Sequence, residues 1–170
     1  MVSHELMING AGALASFVGV QSLKSGVNLE KLTFLIKEVS SNNIKLDLDA
    51  EKAFQETFKN YISATPNALA EIGNVIVRLQ ANTNENVAKS IERKVNFVMS
   101  LPIGTASQME LVKEVIRYEY EIGNIDKETI KSLIKVFAIT VAGTLLIRTI
   151  SSAYKNARKP TFVESFLGKK

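Results

Sequence analysis

The chain has 170 residues, 46% apolar and 22% charged, which excludes a disordered polymer and allows one domain with a real core. It has no cysteine, which excludes disulfides, thiolate catalysis and cysteine-based zinc sites. The net charge of +4 is unevenly placed: residues 1–144 carry 15 basic and 16 acidic side chains, whereas residues 145–170 carry six basic side chains against Glu164 alone. An anionic partner is therefore expected at the C-terminal end.

Only nine glycines and three prolines punctuate the chain, and long segments run between them, the profile of an all-α protein. The first predicted helix covers 3–23. Gly12, Ser16 and Gly19 fall at i, i+4 and i+7, a small-residue face suited to close helix packing. Its uncharged run from Leu6 to Leu23 approaches the length of a membrane span but is diluted by polar residues and glycines. MVSHE lacks the positive start of a secretion signal, so a place inside a cell or within an assembled particle is expected.

A second helix is predicted over 28–40, with Leu29, Leu32, Ile36 and Val39 as its apolar stripe. The third covers 50–63, capped by Asp49, with Phe54, Phe58 and Tyr61 facing inward. Thr65 and Pro66 open the fourth, striped by Leu69, Ile72, Ile76 and Leu79. The fifth covers 84–100 with Val87, Ile91, Val95 and Val98, and Pro102 ends it. The sixth covers 106–122. Thr105 with Gln108 has capping-box spacing, Met109, Val112, Ile116 and Tyr120 form the stripe, and Gly123 closes the helix.

Asp126 caps the seventh helix, with Ile125 and Ile130 placed as a hydrophobic staple. No proline follows until Pro160, so this helix is predicted to run over 127–158, about 48 Å at 1.5 Å per residue. Twelve uncharged residues lie between Lys135 and Arg148, too few to cross a bilayer, and 136–147 is expected in the protein core. Arg148, Lys155, Arg158 and Lys159 form a basic stripe for an anionic partner. After Pro160, Phe162, Val163, Phe166 and Leu167 make the apolar face of a short segment suited to docking on a partner.

Catalytic chemistry has little to build on. His4 is the sole histidine, and no metal, phosphate-loop or cofactor pattern is present. Glu110, Glu114, Glu119 and Glu121 interleave with Lys113 and Arg117, as on a solvated helix face with surface ion pairs.

These features predict a single helical bundle of about seven helices over 1–159, followed by a docking tail over 160–170. The expected role is non-enzymatic: a structural or adaptor subunit of a larger assembly, such as a virus particle, held by a protein partner or by homo-oligomerisation. No cofactor, metal or small-molecule substrate is expected. Two alternatives remain open: a membrane-associated or pore-forming protein using 6–23 and 136–147, and a nucleic-acid packaging protein using the basic end.

Overall fold

A computed structural model describes residues 28–41 and 46–158. Every regular element among them is an α-helix: α1 Leu29–Ser41, α2 Leu48–Ala64, α3 Ala68–Leu79, α4 Val87–Met99, α5 Thr105–Glu121, α6 Lys127–Phe137 and α7 Gly143–Arg158. The predicted helix over 3–23 and the tail over 160–170 lie outside the described residues, and with them Gly12, Ser16, Gly19, Phe162, Val163, Phe166 and Leu167.

The apolar stripes place the core. Leu32, Ile36, Phe54, Phe58, Ile72, Ile76, Ile91, Val95, Val112, Ile116, Leu133 and Ile150 all join one buried cluster. α5 is its axis, packed against α3, α4 and α7, while α6 packs on α4 and α7. Its buried face is broader than one stripe, because Leu111, Val112, Val115, Ile116 and Glu119 are all enclosed. Tyr120 is only half-buried and meets Tyr154 of α7 edge-on, with ring centroids 5.9 Å apart.

The helix ends refine the sequence expectations. Asp47 rather than Asp49 caps α2, its Oδ1 accepting from Ala50 N at 2.8 Å. α3 begins two residues after Pro66, because Asn67 takes a left-handed conformation at φ 58° and resets the chain direction. Gly104, at φ 90°, precedes α5, and the Gln108 side chain donates to Met99 O and Leu101 O instead of closing a capping box. Those two bonds tie α5 to the end of α4, whose following residues Leu101 and Ile103 turn into the core. Asp126 caps α6 as expected. Its carboxylate accepts from Thr129 N at 2.8 Å and Thr129 Oγ1 at 3.0 Å, and these bonds hold its pKa below the ordinary carboxylate range.

A close approach of α3 to α5 occurs at Gly73. A Cβ there would lie 2.7 Å from Glu114 Cβ and 3.4 Å from the Glu114 carbonyl carbon. Those atoms belong to the body of α5 and cannot swing aside. Gly73→Ala is expected to lower stability by about 1–3 kcal/mol through overpacking, which a urea melt would measure. An unshifted midpoint would show that the two helices are not held this close.

The long C-terminal helix is not continuous. It stops at Phe137 and restarts at Gly143, so α6 and α7 form a hairpin rather than one 48 Å rod. The expectation that 136–147 is buried fails with it. Phe137 and Leu146 are in the core, but Ile139 is 90% exposed and Val141 fully so.

Candidate interaction surface

The turn joining α6 to α7 has local causes. Ile139, Thr140 and Val141 are consecutive β-branched residues, which lose side-chain freedom in a helix. Thr140 donates from both N and Oγ1 to Phe137 O, at 3.2 and 2.9 Å, closing off the end of α6. Gly143 N then donates to Thr140 O at 3.0 Å, and Leu146 N to Ala142 O at 2.9 Å, which starts α7. A Cβ on Gly143 would overlap Phe137 O, so the closure needs glycine.

The result is a turn whose apolar side chains point outward. Ile139 and Val141 stand at the tip, and Leu145 on α7 is 39% exposed beside them. Lone exposed aliphatic residues are ordinary, but two at the tip of one tight turn and a third in the first turn of the next helix define a patch.

Positive charge lies along the helices on either side of this patch. Lys135 is exposed on α6 and Arg148 and Lys155 are exposed on α7, and none of them takes part in an ion pair among the described residues. Arg148 and Lys155 line a shallow groove of about 510 Å³ along α7 with Ile147, Ser151, Ser152 and Asn156. The structure thus brings together the first two members of the predicted basic stripe. The Arg158 side chain and Lys159 lie outside the described residues. No acidic residue occurs between Glu128 and Glu164.

The acidic residues of α5 divide into two sets. Lys113 pairs with Glu110 at 3.2 Å, and Arg117 bridges Glu114 and Glu121 at 2.8 Å each, as surface pairs of the expected kind. Glu119 departs from that expectation. It is wholly buried and its Oε2 accepts from Lys94 Nζ of α4 at 2.6 Å. Its Oε1 accepts from Asn124 Nδ2 at 2.9 Å. Lys94 and Asn124 also line a cleft of about 420 Å³ with Val77, Arg78, Ser90 and Ile122. Register held the missed signal: Lys94 is three residues from Ile91, and Glu119 is three from Ile116, so both fall on core faces.

Among the described residues, no group of three or more histidine, cysteine or carboxylate side chains is placed to hold a metal ion. Nor is any helix among them long and apolar enough to cross a membrane. No family model, curated protein or solved structure matches the chain.

Proposed function

We propose that this chain is a non-enzymatic structural or adaptor subunit that works by surface contact, with the α6–α7 turn as its working surface. The observation that carries this reading is the outward placement of Ile139 and Val141 on a turn anchored in the core by Phe137 and Leu146. A rigid scaffold presenting apolar anchors to the outside is the arrangement of a docking element. On this reading residues 1–159 form one bundle, the small-residue face of Gly12, Ser16 and Gly19 adds a helix contact, and the segment from Phe162 to Leu167 adds a second attachment to the assembly.

Size-exclusion chromatography with light scattering tests the turn directly. The intact chain is expected to elute above its monomer mass of 18.7 kDa at micromolar concentration. The double variant Ile139→Ser, Val141→Ser is expected to shift toward monomer with an unchanged melting temperature, because both side chains are already outside the core. A variant that assembles as the parent does would remove the turn from the working surface.

A further inference from the structure

We infer that an anionic lipid surface takes the place of the second copy at the α6–α7 turn, which seats in it as a shallow wedge without crossing. This inference rests on the turn being the working surface and names what it meets. Exposed residues Leu145, Arg148, Ser152 and Lys155 step by three, four and three, so they share one face of α7 that leads away from the turn. That face changes character once, from apolar at the turn to polar and cationic above it.

The spacing matches the depth of an interface. Elements that lie in a bilayer surface bury their apolar side roughly 5–10 Å into the boundary between headgroups and acyl chains. Arg148 lies about 4.5 Å, and Lys155 about 15 Å, beyond Leu145 along the helix axis. With Ile139, Val141 and Leu145 at acyl depth, Arg148 reaches the phosphate level. Lys155 then remains in the aqueous layer where an anionic surface still attracts it. Lys135 takes the corresponding place on the α6 arm. The groove beside Arg148 and Lys155 offers hydroxyl donors from Ser151 and Ser152 and an amide from Asn156, a set suited to phosphate oxygens.

One further feature favours lipid over a protein pocket. Protein surfaces are mosaics of both charge signs, whereas Thr129 to Val163 contains cations and no carboxylate, matching a surface of uniform negative charge.

The test uses the full chain with vesicles of phosphatidylcholine alone or with one quarter phosphatidylserine. Because the chain has no tryptophan, Val141→Trp gives a single reporter at the tip. The expected results are co-sedimentation with the serine-containing vesicles, a blue shift of the reporter and its quenching by lipids brominated near the headgroup. Binding should fall about tenfold in Ile139→Ser, Val141→Ser. It should also fall in Arg148→Gln, Lys155→Gln, and in wild type as salt rises. Co-sedimentation with an unshifted reporter would mean attachment through another segment and would overturn the wedge. No vesicle binding, with self-association still lost in the turn variant, would overturn the lipid assignment and leave the adaptor reading standing. If neither vesicle binding nor self-association depends on the turn, both fall.

Discussion

Replacing Lys94 with Met is expected to destabilise the protein by about 3–5 kcal/mol, enough to remove a large share of the stability of an ordinary domain. The cause is the carboxylate left behind. Glu119 is wholly buried, and its Oε2 has Lys94 Nζ at 2.6 Å, while Asn124 serves the other oxygen. Without the ammonium, a charge inside the protein keeps only one side-chain hydrogen bond. Glu119→Leu alone should be costly for the converse reason, since Lys94 is then buried without its counterion. The double variant Lys94→Met, Glu119→Leu is expected to recover most of the loss, because apolar side chains of similar volume often replace a buried ion pair at little cost. Chemical denaturation of the four proteins closes a double-mutant cycle, with the coupling as its readout. Additive losses would mean that the two side chains do not act as a pair.

That pair also shows how far the sequence could be read. Most of each stripe of α1 to α5 follows from apolar spacing alone, since burial on one helix face is a repeating pattern that local residues encode. Leu79 at the end of α3 and Val87 at the start of α4 are nevertheless exposed, because a helix end runs past the neighbours that would cover it. Ile91, Val95 and Val98 are all enclosed, as their spacing requires. Lys94 shares their face, yet residue type alone places lysine and glutamate in solvent. Only the meeting of α4 with α5, a non-local event, shows that two opposite charges on two core faces can satisfy each other. The cap positions shifted for a related reason. Asp47 and Asp49 are both sound caps in isolation, and the geometry entering α2 selects the first.

The break between α6 and α7 was harder to see, because neither proline nor an acidic cap marks it. Hydropathy pointed the wrong way: an uncharged run of twelve residues reads as buried, although in three dimensions its middle is the outside of a turn. The legible clue was stereochemical. Three β-branched residues followed by Ala142 and Gly143 combine weak helix propensity with one position free of a Cβ. The outward-facing turn therefore came from local backbone chemistry within a segment whose average composition suggested the core.

Gly143→Ala tests that origin. The added Cβ would overlap Phe137 O and lie 3.2 Å from the Phe137 carbonyl carbon and 3.2 Å from Thr140 Oγ1. The obstruction is backbone, so no side-chain rotation relieves it, and the same carbonyl accepts both bonds from Thr140. The turn cannot relax by merging the helices, because Leu133 and Phe137 fix one arm in the core and Leu146 and Ile150 fix the other. Alanine is ordinarily the better helix former, by about 1 kcal/mol, so propensity alone predicts stabilisation. Steric overlap predicts the opposite sign, a loss of about 1–3 kcal/mol after the propensity gain is set against it. In a chain of this size each kcal/mol lowers the melting temperature by about 2–4 °C. Thr144→Ala, one residue later on an exposed position of α7, carries the propensity gain without the overlap and serves as the control. The expected result is a lower melting temperature for Gly143→Ala and an unchanged or higher one for Thr144→Ala. A rise in both would show that α6 and α7 tolerate a continuous helix and that the turn is not fixed by the glycine.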